Sequence, residues 1–249
     1  MRRVLTGFLG LALVLHVTGT VRADDRGQAG AIIDKAIKAW GGEATKTAGT
    51  WKGKGTFYGM GDGIPYTSEV AVQWPDHQRT SVEADFNGQK FTLITVVAGG
   101  KGWRKVNGDG MVLEGESLDE AKEEVYASWV STIMPLKNRG FTITSLGDSK
   151  AENHELVGVK VAHKGHKDIS LFFDKDSGLL IKTVRRAKDT QGSGDEVNQE
   201  TIYGDYKEVD GTKLPVKVTI KRDGKKYIEQ ENSDMKLTDK IDNKLFAEP

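Results

Sequence analysis

The chain of 249 residues contains no cysteine. Disulfides, thiolate-built zinc sites and thiol nucleophiles are therefore excluded. So is lipid attachment through a cysteine following an export signal. Net charge is missing as well, with 36 basic residues set against 36 acidic ones. Such a balance creates no overall field to draw in nucleic acid. There is no Gly-Lys-Ser/Thr phosphate loop and no Gly-x-Ser-x-Gly nucleophile elbow. No Pro/Ser-rich linker divides the chain. What remains is 37% hydrophobic and 29% charged, enough to bury one sizeable core.

The N-terminus stands apart. Arg2 and Arg3 precede the apolar run VLTGFLGLALVLHV, and VRA closes at Ala23 before Asp24-Asp25. A basic start, an apolar stretch and small residues at the end spell a secretory signal over residues 1–23. The alternative is an uncleaved anchor, but Gly7, Gly10 and His16 interrupt a run barely long enough to span a bilayer. Removing the signal takes away Arg2, Arg3 and Arg22 and no acid, leaving a formal charge of −3. The mature chain, 24–249, reads as a single exported domain, soluble once the signal is cleaved.

Residues 26–41 carry Ile32, Ile33, Ala36, Ile37 and Trp40 at helical spacing and end at Gly41-Gly42. From Thr50 the period becomes two. The stretch GMGDGIP at 59–65 is rich in glycine, yet a strand follows it and not a helix. It therefore reads as a hairpin connection and not as an anion cradle. Asn87-Gly88, Asn107-Gly108 and Asp109-Gly110 mark further turns, and KFTLITVV, apolar at nearly every position, reads as a strand covered on both faces. A second helix is predicted over 118–134, with Ser117 and Glu120 as a capping box. Its stripe is Leu118, Ala121, Val125, Trp129 and Ile133, and Pro135 ends it. Strands then resume to the C-terminus, with turns at 174–178, 210–211 and 223–224 and a flexible loop at 188–195.

The pattern gives an α+β fold: a strongly curved, half-open antiparallel β-barrel of about 11 strands, with two helices packed across its concave face. Six strands precede the second helix and the rest follow.

Chemistry-bearing constellations are scarce. His163 and His166 flank a turn but lack a third ligand nearby, so no metal site is expected. Glu196 with Glu200, and Asp119 with Glu120, read as solvated faces and caps. No catalytic residue and no cofactor is expected. Five tryptophans remain. Trp40 and Trp129 lie on the helix stripes, and Trp51, Trp74 and Trp103 lie in or beside strands. They either fill an ordinary core or line an apolar pocket between sheet and helices. Gly49-Thr50-Trp51 is similar to the lipocalin Gly-x-Trp, but the helix order differs.

The C-terminal half resembles a known group. LFFDKDSGLLIKTVRR (171–186), YGDYKEVDGTKLPVKVTIKRDGKK (203–226) and DNKLFAEP (242–249) are similar to the outer-membrane lipoprotein-sorting (LolA/LolB-like) superfamily, as is the order of elements. The resemblance implies an unclosed antiparallel barrel whose helices form a lid over a hydrophobic cavity. In that superfamily the cavity carries lipoprotein acyl chains, and some relatives are envelope sensors or regulators. No functional residue transfers by position. The expected partner is a lipid or lipoprotein acyl chain, bound without catalysis. The alternative is an envelope protein partner docked on the sheet. Residues expected to line the cavity are Trp51, Phe57, Val70, Val72, Trp74, Phe91, Leu93, Trp103, Trp129 and Ile133.

Overall fold

The computed structural model describes residues 23–42, 46–151, 154–189 and 194–249. The expected signal segment lies outside them up to residue 22, as does the centre of the loop at 188–195.

Helix α1 (Ala23–Trp40) precedes six strands: β1 (Ala48–Phe57), β2 (Ile64–Gln73), β3 (His77–Phe86), β4 (Gln89–Ala98), β5 (Lys101–Val106) and β6 (Asp109–Val112). Helix α2 (Gly115–Ser131) and a 3-10 turn (Met134–Lys137) follow. Seven more strands complete the sheet: β7 (Phe141–Ala151), β8 (His154–His163), β9 (Ile169–Asp174), β10 (Leu180–Lys188), β11 (Glu196–Val209), β12 (Thr212–Arg222) and β13 (Lys225–Thr238). The described strands number thirteen, against the expected eleven or so. Short pieces such as the four-residue β6 hold too few alternations to register strongly as strands.

Consecutive strands pair antiparallel except β6 and β7, and β1 pairs with β13. The order runs β6-β5-β4-β3-β2-β1-β13-β12-β11-β10-β9-β8-β7. The sheet is therefore joined where the chain's first and last strands meet. It is open between β6 and β7, and the connection across that gap carries α2.

The turns follow from their residues. Asn87-Gly88, Asn107-Gly108, Asp210-Gly211 and Asp223-Gly224 take positive φ at both positions, as two-residue hairpins require. Asp109-Gly110 does not turn the chain; it opens β6. The glycine loop joins β1 to β2 as a hairpin. Gly41, with φ 129°, ends α1 against the β11–β12 turn; a Cβ there would lie 2.1 Å from the Gly211 carbonyl oxygen.

Curvature follows from contact. Helix α2 touches β4 and β5 on one side and β10 on the other. Seven strand spacings of about 4.8 Å separate β4 from β10 along the sheet, roughly 34 Å if it were flat. A helix about 10 Å across reaches both only if the sheet bends around it.

Packing inside this bend is lopsided. On the β7–β10 side, Ile33, Ala36 and Ile37 of α1 and Tyr126 and Val130 of α2 meet Val159, Val161, Leu171 and Phe173 in a solid core. Helix α2 ends earlier than expected, so Ile133 lies beyond it. Ile133 takes φ 69°, rare for a β-branched residue, and is held there by near-complete burial. On the convex face, Phe246 of the C-terminal 3-10 turn covers Ala71 and Val96, with Ile94, Ala98 and Trp103 beside them. The far end of β4 is thus covered on both faces, as its apolar run implies.

Candidate functional site

The other half of the bend is hollow. A cavity of about 540 Å³ lies between α2 and the concave face of β2–β5, β12 and β13. A second, of about 390 Å³, continues toward the end of α1. Strand register explains how the larger wall is built. Phe91, Ala84, Tyr66 and Gly55 stand in one row across β4, β3, β2 and β1. Leu93, Val82, Ser68 and Gly53 form the next, and Arg104, Thr95, Thr80 and Val70 the row after that. The alternation of these strands places one residue in two on this wall.

Gly53 and Gly55 make room for what crosses β1. A Cβ on Gly53 would sit 2.5 Å from both the Ser68 hydroxyl and the Gln230 side chain. In the space left, the Tyr66 hydroxyl donates to Gln230 Oε1 at 2.7 Å, and Gln230 Nε2 donates to Asn232 at 2.6 Å. Burial pushes the Tyr66 phenol up to about 12, so it stays a donor.

Where the two cavities meet, the wall turns polar. Val70, Gln78, Thr80, Glu124, Gln199, Ile220 and Gln230 border both. Beside this waist, Arg185 of β10 donates to Glu120 at 2.9 Å and to Glu124, both on α2. The Arg185 and Glu120 side chains are only 5% and 8% exposed. Burial works against the Arg185 charge, but the Glu124 and Glu120 carboxylates outweigh it and hold its pKa above the usual value. Glu120 is therefore not the solvated cap expected from the sequence. The helix starts two residues before Ser117, with Glu114 at its cap, so Glu120 is not at a capping position and is buried.

Helix α2 divides its faces. Tyr126 and Val130 go to the solid core, with Trp129 packed beside them. Ser117, Glu120, Ala121 and Glu124 face the larger cavity, and Ser128, Ser131 and Thr132 the smaller one. The small and polar stripe, at i, i+3 and i+4 spacing, meets the hollow.

The ten expected lining residues separate accordingly. Phe57, Phe91 and Leu93 stand on the larger wall, Trp51 and Trp74 on the smaller, and Val70 on both. Trp40, from α1, joins the smaller wall. Val72 is buried further along β2. Trp103 packs on the convex face under Phe246, and Trp129 and Ile133 belong to the solid core. The helix stripe carries apolar residues in both directions, and bulk is drawn to the side that must be filled. Sequence reasoning missed Arg104, Arg185 and the three glutamines. The signal available for Arg185 was its place in LLIKTVRRA, where a charge interrupts a buried alternation.

His163 and His166 lie elsewhere, stacked nearly parallel with ring centroids 5.3 Å apart, among Tyr126 and Phe141. His166 Nδ1 is 2.8 Å from Glu123. Among the described residues no group of three His, Cys, Asp or Glu side chains is placed to hold a metal ion. No helix among them is long and apolar enough to cross a membrane.

No family model matches the chain, and no curated protein matches it. Solved structures do match in fold. A DUF1329 family protein from Desulfovibrio piger superposes with TM-score 0.58 at 10% identity, over 88% of this chain and 97% of its own. A LolA superfamily protein from Nitrosomonas europaea gives TM-score 0.58 at 11% identity, over 88% and 97%. A domain named for outer membrane lipoprotein sorting, from Vibrio parahaemolyticus, gives 0.55 at 10% identity, over 89% and 97%. At such identities the likeness is one of fold. The open antiparallel sheet, bent around its helices, is the architecture of LolA superfamily structures, in agreement with the resemblance carried by the C-terminal strands.

Proposed function

We propose that this protein is an exported, non-catalytic carrier that takes a lipid or lipoprotein acyl chain into the hollow beneath α2. The observation that carries this reading is the cavity itself. Its rows of Phe, Leu, Val and Ala side chains lie open while the opposite half of the same bend is filled. An alkyl chain gains about 0.8 kcal/mol per buried methylene. Ten methylenes supply roughly 8 kcal/mol, the scale of micromolar binding before ordering costs. The fold of the solved relatives supports the same reading. The domain of residues 24–249 acts as one unit in it, after release of the signal at Ala23.

The experiment is extraction and mass spectrometry of protein purified without detergent, paired with displacement of N-phenyl-1-naphthylamine by alkyl ligands. Co-purifying lipid, or displacement at micromolar concentrations, is the expected result. A chain that retains no lipid and binds no alkyl ligand is instead an envelope sensor or protein-interaction module on the same fold. N-terminal sequencing of the exported protein is expected to begin at Asp24.

A further inference from the structure

Among the described residues, the charges on the wall of the larger cavity are paired, with one exception. Arg185 takes Glu120 and Glu124. Lys188 pairs with Glu116, and Arg222 pairs with Asp189 at 3.1 Å while its guanidinium lies 3.8 Å from the centre of the Tyr227 ring. Arg104, on β5 and on the same wall, makes no ion pair and no side-chain hydrogen bond among the described residues. Its Nε is buried with nothing to receive its proton. Burial alone moves its pKa, downward, and no carboxylate moves it back.

An unpaired guanidinium in an apolar hollow is costly, and an anion there restores what desolvation removed. Hydroxyl donors stand by. Thr95 is the register partner of Arg104 on β4, and Ser117 of α2 shares the wall. From this end, next to the sheet edge, the cavity extends across the strands to Ile220, Tyr227 and Ile228 of β12 and β13. Head and tail therefore have separate ends.

We propose that Arg104 is the head-group site of the larger cavity. Its ligand is an amphiphile with an anionic head, carboxylate or phosphate monoester, and an alkyl chain directed toward β13. This rests on the carrier reading and narrows it: neutral and cationic heads are selected against.

Four twelve-carbon probes test it below their micellar concentrations: dodecanoate, dodecyl phosphate, dodecanol and dodecyltrimethylammonium. Each displaces N-phenyl-1-naphthylamine from wild-type protein, from Arg104→Gln, and from Arg79→Gln as a charge-matched control on the opposite face of the sheet. At least one anionic probe is expected to bind wild type about tenfold more tightly than dodecanol, with the cation weakest. The tighter of the two anions tells a fatty acid from a phosphate head. In Arg104→Gln this preference is expected to fall to within about twofold while dodecanol affinity holds; Arg79→Gln is expected to keep it. If wild type binds dodecanol as well as both anions, or if Arg104→Gln weakens every probe equally, the head-group assignment is overturned and the carrier reading stands. If no probe binds, both fall.

Discussion

Replacing Arg185 by Met tests whether the ion pair at the waist holds α2 in place. In the folded chain Arg185 and Glu120 are 2.9 Å apart, with side chains 5% and 8% exposed. Removing the cation leaves Glu120 buried with Lys167 as its remaining ion-pair partner among the described residues; the Lys167 Nζ stands 3.5 Å away and the side chain is itself 33% exposed. Breaking one half of a buried pair costs about 3–5 kcal/mol. The residual Lys167 contact places Arg185→Met near the lower end, at about 3 kcal/mol. Glu120→Gln is a milder change, because Arg185 keeps Glu124, whose side chain is 44% exposed and free to follow it. A cost of about 1 kcal/mol is expected, that of a weakened charged hydrogen bond. The double variant removes both charges. Its cost is expected to fall short of the sum of the singles by at least about 1.5 kcal/mol, a coupling typical of side chains in contact. Urea unfolding followed by tryptophan fluorescence, with the four proteins in one buffer, yields the cycle. If Arg185→Met lies within 1 kcal/mol of wild type, or the double variant equals the sum, the pair does not hold α2 in place.

Ala121→Trp places an indole in the larger cavity from the helix side; binding of alkyl probes is expected to drop tenfold or more while the urea midpoint changes little, and unchanged binding would place the ligand elsewhere. The Asp174 carboxylate accepts from the Ser177 N–H at 2.7 Å and lies 2.8 Å from His154 Nδ1. Burial pushes its pKa up, but these hydrogen bonds outweigh burial and bring it from 3.8 down to about 2. A pKa depressed by folding gives stability that is complete above the unfolded value near 4 and lost as pH falls through about 2. Asp174→Asn is therefore expected to be about 1–2 kcal/mol less stable at pH 7, with the difference closing between about pH 4 and pH 2; a gap independent of pH refutes the assignment. Phe246 is 3% exposed against Ala71 and Val96. Phe246→Ala is expected to cost about 3 kcal/mol in thermal or urea unfolding, and a cost under 1 kcal/mol would mean the C-terminal turn adds little to the fold.

Much of the architecture was legible because hairpins are local. Asn87-Gly88 and Asp223-Gly224 each determine a turn from two residues, and the alternation on either side determines which residues share a face. Val82 and Ala84 could be placed together for that reason. The pairing of β1 with β13 could not be read this way, since it joins segments almost two hundred positions apart through no turn. The lining was half legible for a different reason. Periodicity shows that Trp129 is covered, but a packed core and an apolar cavity wall demand the same kind of residue. Trp129 meets Phe141 at 5.7 Å between ring centroids, an ordinary core contact that leaves no mark in the sequence. Glu120 misled because Ser-x-x-Glu is also a cap signature. The helix starts two residues earlier, so Glu120 is not at a capping position, and its carboxylate meets Arg185 of β10 instead.

The division between filled and hollow halves assigns α2 its part. Its bulky face is sunk in the β7–β10 core, and Arg185 of β10 ties its polar face to the same side. Across the gap it also meets β4 and β5: Leu118 lies over Gly102, where a Cβ would come within 2.9 Å of Leu118 Cδ1. The sheet is open between β6 and β7, and α2 is the segment that joins those two edges. The larger cavity and the solid core thus lie on opposite faces of α2. A carrier needs a site that admits a chain and a frame that does not unfold as it does so. On the carrier reading proposed above, the filled side of α2 supplies the frame and the hollow side the site, and Arg104, without an ion pair among the described residues, stands on the hollow side.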